Sequence, residues 1–110
     1  MTPDDLLLLG TVGAETTIAA GRVVIERGQH GAGLYVILEG TVVVEAPEGM
    51  LEFGPGAVIG ERALLSAEGL RAARVRAVGD VRVLAVARAD FDRLCEDDPE
   101  LALRVAAAGG

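Results

Sequence analysis

Glu61 and Arg71, with the glycine and alanines beside them, carry the strongest chemical signal in the sequence. They belong to residues 58 to 74, VIGERALLSAEGLRAAR, where the strand-like alternation of the surrounding chain stops. Arg62, Ala63, Leu64 and Leu65 are good helix formers, so one helical turn is expected there. Beginning just after Gly56 and Gly60, its first backbone N–H groups have no intrahelical acceptor and offer an anion site the size of a phosphate. Glycine at position 60 lets the backbone come close to a ligand. The Glu61 carboxylate cannot hold a phosphate and calls for donors such as sugar hydroxyls. Arg71 presents a guanidinium fork that grips phosphate oxygens in two places, and the small Ala72 and Ala73 leave open amides beside it. An anion clamp and a hydroxyl acceptor are then neighbours. The plainer alternative for Glu61 is an exposed ion pair with Arg62 or Arg71, worth under about 1 kcal/mol. For Arg62, Arg74, Arg76 and Arg82 the expected role is to solvate a strand face. Those four and Arg71 stand against Glu61, Glu68 and Asp80 between residues 60 and 82, a local +2 in a chain of -7 that suits a small anionic ligand.

Other chemistry is poorly supplied. The chain has one His, one Ser, one Cys and no Lys, Asn or Trp, so a Ser/His pair could come only from Ser66 and His30, and no motif supports it. Without lysine there is neither a Schiff base nor a phosphate-binding loop of the GxxxxGK[ST] kind. His30 lies in the glycine-rich stretch Gly28 to Gly33 and reads as a solvated turn residue. One histidine does not make a metal site, and it cannot supply the ligand set of a cupin-type enzyme on a similar roll. Cys95, among Phe91, Leu94 and acidic residues at helical spacing, reads as a small core residue rather than a reactive thiol.

Strands must position the segment from 58 to 74. Short β-branched runs lie at Thr16 to Ala19, Arg22 to Glu26, Gly33 to Leu38, Thr41 to Glu45 and Leu51 to Phe53. Two more follow at Arg74 to Val78 and Val81 to Val86, with Gly79-Asp80 between them read as a hairpin-type turn. Glycines at 21, 28, 31, 40, 49, 54 and 56 punctuate these runs at a spacing that suits an antiparallel barrel or jelly roll. Tyr35 and Phe53 are expected to pack inward, as strand aromatics usually do. Before the strands, residues 3 to 9 predict a short helix with Thr2 as cap and Pro3 at the first helical position. After them, Ala89 to Cys95 predicts a helix of about two turns, and Pro99 opens another through Leu101, Leu103 and Val105 to Ala108. The fold class is mainly β: an eight-stranded antiparallel β-roll, or double-stranded β-helix of jelly-roll type, with short N- and C-terminal helices.

In one order along nearly the whole chain, the residues resemble the cyclic nucleotide-binding domain in the form found in the bacterial catabolite activator protein. The pieces are Gly21-Arg22-Val23-Val24-Ile25 with Gly28, Gly33-Leu34-Tyr35-Val36-Ile37, Gly40-Thr41-Val42, and Gly60-Glu61-Arg62-Ala63-Leu64-Leu65 leading to Arg71-Ala72-Ala73. The last piece resembles the family's phosphate-binding cassette. The resemblance implies that Glu61 accepts the ribose 2′-hydroxyl and that Arg71 pairs with the cyclic phosphate, with backbone groups of Gly60, Arg62, Ala63, Ala72 and Ala73 completing the cradle. It implies no metal and no cofactor, only the ligand, with cAMP placed before cGMP. In relatives a threonine directly after the arginine favours cGMP through the guanine amino group, and here that position is Ala72. Family members close the site with a long C-terminal helix, of which the segment from about 88 to 108 is expected to be a truncated counterpart and the output element.

Composition sets the outer limits. With 110 residues, 51% apolar and 25% charged, the chain is expected to be a single domain, the roll occupying about 14 to 87. A net charge of -7 argues against direct nucleic-acid contact. No apolar run approaches the length of a membrane span, and the first ten residues carry Asp4 and Asp5 where a secretion signal would be basic. A single cysteine fits a reducing compartment, so the expected location is the cytoplasm. The expected function is that of a regulatory sensor that performs no catalysis. Its effector domain or partner protein is not legible, and the C-terminal helix is a candidate homodimer contact. The alternative is a degenerate cyclic nucleotide-binding fold, without ligand, that serves as a protein-interaction or dimerisation module.

Overall fold

The structure is a computed structural model that describes residues 1–25, 33–60 and 73–108. Among these, eight strands form two four-stranded antiparallel sheets. Sheet A has the order β1 (Ala14–Ile18), β8 (Val81–Ala87), β3 (Gly33–Glu39), β6 (Val58–Ile59), and sheet B the order β2 (Val23–Ile25), β7 (Arg74–Ala77), β4 (Val42–Ala46), β5 (Gly49–Phe53). Helix α1 (Pro3–Gly10) precedes the strands, and α2 (Arg88–Asp97) and α3 (Leu101–Ala107) follow them. This is the expected mainly β jelly roll with short terminal helices. Strand limits move by no more than two residues from the expected ones, and β6 is new.

The central strands show why the sequence folds this way. Successive side chains of β3 point to opposite faces, and both faces are dry. Leu34 and Val36, with Leu84 and Val86 of β8 and Val58 of β6, join Leu9, Phe91, Leu101 and Val105 in a cluster beneath the helices. Ile37, with Val81 and Val83 of β8 and Ile59 of β6, joins Ile25, Val42, Val75 and Ala77 of sheet B in a second cluster inside the roll. Sheet A is thus covered twice, which is why β3 and β8 read as nearly unbroken apolar runs instead of alternating. Tyr35 and Phe53 pack against the inner cluster, as expected of strand aromatics.

The first helix has the predicted start. Thr2 Oγ1 accepts from the Asp5 backbone N–H at 3.2 Å, and the Asp5 carboxylate accepts from the Thr2 N–H at 3.0 Å, closing a capping box with Pro3 in the first turn. Helix α2 is longer than expected, ten residues, with Asp90 in its first turn. The expectation for Gly79-Asp80 is corrected. It is not a hairpin turn, because β7 and β8 do not pair: both edges of β7 are occupied by β2 and β4, and both edges of β8 by β1 and β3. The turn instead carries the chain from one sheet to the other. There Asp80 Oδ1 accepts from the Ala20 N–H at 2.9 Å and the Val78 N–H donates to Thr41 O at 3.0 Å. Gly40 supplies the close approach at this corner. It has φ +94°, and a Cβ on it would come within 2.7 Å of the Asp80 carbonyl oxygen.

Candidate functional site

Two strands act as posts for the segment that carries the predicted chemistry. The chain leaves sheet A at the end of β6 and enters sheet B at the start of β7, so residues 60 to 73 connect one sheet to the other. Strand β6 is anchored on both faces, Val58 in the helix-side cluster and Ile59 in the inner one, and in register it pairs Val58 with Val36 and Ile59 with Tyr35. Gly60 follows directly, half-buried, with φ +86°. A residue with a Cβ would be strained there, so the glycine that sequence reasoning wanted for close approach is also required by the backbone. At the other post, Ala73 is half-buried in a bend before Arg74, whose register partner is Glu45. Glu61, Arg62, Ala63, Arg71 and Ala72, the expected helical turn, Ser66 and His30 lie outside the described residues.

Two of the four arginines expected on a strand face, Arg76 and Arg82, are engaged there. Arg76 Nε lies 3.3 Å from Glu45 Oε1 and its Nη1 donates to Gly21 O at 3.1 Å. Arg82 spans two carboxylates, Glu15 at 3.1 Å and Glu39 at 3.0 Å. The hydrogen bond to Glu39, followed by the attraction of the same carboxylate, pushes the Arg82 guanidinium still further toward its charged form. Both side chains are committed to strand carboxylates. Cys95 is half-buried against the helix-side cluster, and burial first, then Asp92 and Asp98, pushes its thiol up from the ordinary value. It packs, as expected, and is a poor nucleophile at neutral pH.

An apolar surface beside the second post was missed by sequence reasoning. Cross-strand pairs point the same way, so Ile25, Val75, Val44 and Leu51 form one row across the inner face of sheet B. The row runs from buried Ile25 and Val75 through half-buried Val44 to Leu51, which is 64% exposed. Neighbouring Phe53, paired with Val42, is half-buried on the same face. Strand β5 is an edge strand, and β6, which follows it in the chain, is only two residues long. The signal available in the sequence was a leucine at an inward position of a hairpin whose turn, Pro47-Glu48, lies beyond the last residue paired with β7. Recognising it required the register.

No group of His, Cys, Asp and Glu able to hold a metal ion occurs among the described residues, and no described helix is long and apolar enough to cross a membrane. What the described residues offer is a glycine at the end of β6 whose backbone would strain a side chain, and an apolar row on sheet B that ends on exposed Leu51.

Comparison with known proteins adds three findings. A sequence model of the cyclic nucleotide-binding domain matches residues 15–98. A cyclic nucleotide-gated potassium channel of Mesorhizobium japonicum is 42% identical over 86 residues, covering 78% of this chain and 24% of the channel. The chain therefore spans about a quarter of the length of the curated relatives it matches. Among solved structures, one from work on a cyclic-GMP-dependent signalling pathway that regulates bacterial phytopathogenesis superimposes with TM-score 0.85 at 30% identity, over 97% of this chain and 89% of its own. The catabolite activator protein of Thermus thermophilus does so with TM-score 0.80 at 30% identity, over 97% of this chain and 53% of its own.

Proposed function

The chain belongs to the cyclic nucleotide-binding domain family, and from that premise we propose that residues 1 to 110 form one sensor domain that binds a 3′,5′-cyclic nucleotide and catalyses nothing. The observation that carries this reading is Gly60. It has a backbone only glycine adopts easily, and it stands at the end of a doubly anchored strand immediately before Glu61 and the cassette-like sequence. In this reading Arg71 clamps the cyclic phosphate, Glu61 accepts the ribose 2′-hydroxyl, and backbone groups of Gly60, Arg62, Ala63, Ala72 and Ala73 complete the cradle. Leu51 and Val44 give the purine an apolar wall. Burying the exposed part of Leu51 against a base is favourable by about 1 kcal/mol.

Ligand occupancy reaches an effector through α2 and α3, and only by as much as the ligand's affinity differs between the two positions of those helices. The effector is a further domain or another chain, and the potassium channels among the relatives make a membrane pore one example of what such a domain can serve. The single cysteine supports a reducing, cytoplasmic setting. We place cAMP first because Ala72 has no hydroxyl to meet a guanine amino group, and cGMP second because a structural relative belongs to a cyclic-GMP-dependent pathway.

Calorimetric titration with both nucleotides tests the proposal, and saturable heat with at least one is expected. Flat heats for both at millimolar ligand would replace it with a docking or dimerisation module that has lost its ligand. Given binding, Arg71→Ala should cost roughly 2 to 5 kcal/mol, as when a hydrogen-bonded charge pair loses one partner. Arg76→Ala, whose side chain is already engaged by Glu45 and Gly21, should leave the affinity nearly unchanged. Equal losses from both would reject a specific clamp.

A further inference from the structure

Away from the cradle, one guanidinium joins three parts of the helical layer. The Asp5 carboxylate in the first turn of α1 is almost fully buried, at 4% exposure. It receives the Arg104 Nε–H at 2.9 and 3.0 Å in addition to the Thr2 N–H. Arg104 Nη2 donates to Asp98, in the corner between α2 and α3. Leu101 and Val105, on either side of Arg104 in α3, are fully buried with Leu9 of α1 in the helix-side cluster. Apolar packing brings the two helices together. The ion pair then fixes how they meet, because a carboxylate this buried is costly unless it keeps its partner.

The far end of α3 touches the strand that leads into the candidate site. Ala108, the residue that caps α3, accepts through its carbonyl from the Val58 N–H at 3.1 Å. Val58 is the first of the two residues of β6, and Gly60 follows that strand. As the edge strand of sheet A, β6 has β3 as its single strand neighbour, so α3 supplies the support on its other side.

We propose that Arg104 is a positioning residue for the nucleotide site. By latching α3 to Asp5 and Asp98 it keeps Ala108 on Val58, and so keeps the Gly60 end of β6 in the geometry a ligand needs. The part that concerns ligand rests on the cyclic nucleotide reading, while the mechanical part does not. When the latch opens, β6 must be ordered at the moment of binding, and the apparent affinity falls with the fraction of molecules in which it is already ordered.

Amide hydrogen exchange by NMR on the intact chain, combined with cAMP and cGMP titration, separates the two parts. In Arg104→Gln the Val58 amide should exchange about ten-fold faster or more while the amides of Val36 and Leu84 stay protected, the pattern of local opening. The dissociation constant of the nucleotide that binds should rise by about three-fold or more. Arg104→Lys should restore part of both effects. If Arg104→Gln does not fold, Asp98→Asn, which leaves the Asp5 contact in place, should show the same pattern with smaller changes. Unchanged Val58 exchange in a folded variant overturns the proposal. So does exchange that rises equally in β3 and β8, or faster Val58 exchange with unaltered affinity. If the unmodified protein binds neither nucleotide, the functional reading falls, and the exchange data still decide whether Arg104 holds β6.

Discussion

Sheet A has two apolar faces, and they end differently. On the helix side, Leu34, Val36, Leu84 and Val86 are roofed by Leu9, Phe91, Leu101 and Val105, and the roof is secured by Arg104 between Asp5 and Asp98. On the roll side, the cluster is dry around Ile37, Val42 and Val83, and the facing sheet B carries its row outward through Val75 and Val44 to Leu51, which remains largely in water. A face that the chain covers with its own helices is a structural core. A face that grades from dry to wet beside a glycine-led segment is one that a ligand can finish, because ligand sites are concave, mostly apolar and carry a few polar groups to fix orientation.

Stability and binding should therefore respond oppositely on the two faces. The largest effect is expected on the helix side: Phe91→Ala removes a fully packed ring and should cost about 3 to 5 kcal/mol in urea unfolding. A loss below about 1 kcal/mol would show that the roof collapses to fill the space and would erase the contrast. On the roll side, Leu51→Ala should change unfolding free energy by no more than about 0.5 kcal/mol, as for an exposed position. Nucleotide affinity should weaken by about 1 kcal/mol, roughly five-fold. Loss of stability with unchanged binding would place Leu51 in the core and not in the site.

A smaller and pH-dependent effect belongs to the latch. The hydrogen bond from Arg104, then the Thr2 N–H, holds the Asp5 carboxyl below the usual carboxylate range against the opposing pull of burial. A group whose folded pKa is lowered contributes stability that is present above its unfolded value and is lost as pH falls through the folded value. Comparing urea unfolding at about pH 7 and about pH 3, the unmodified protein should lose more stability than Asp5→Asn, in which this carboxyl no longer titrates. Equal losses in the two proteins would mean that Asp5 has the same affinity for protons folded and unfolded.

Much of the fold was legible because its signals are local. Thr2 and Pro3 spell a helix start, and the runs at β3 and β8 are too apolar and β-branched to be surface. What failed was pairing. Gly79-Asp80 has the composition of a hairpin turn, yet the strands it joins find partners elsewhere, and composition says nothing about which edges are already occupied. Strand β6 escaped because two residues are too few for alternation to show. At residue 60 the glycine expected for close approach also has a positive φ that a side chain would strain. The inward position of Leu51 was invisible because it depends on the register of β5 on β4, and the Arg104 ion pair because its carboxylate partner lies 99 residues away in the sequence.

The order of strand pairing also governs how the molecule comes together. Ala14 pairs with Ala85 and Val23 with Arg76, so the sheets close like nested parentheses, and β4 with β5 is the one pair joined by a two-residue link. A chain emerging from the ribosome can form that hairpin early, but β1 has no partner until Val81 to Ala87 has been made. Topologies dominated by such distant pairings refold on the order of milliseconds to seconds, and until β8 is made β1 lacks its strand partner and β3 lacks one of its two.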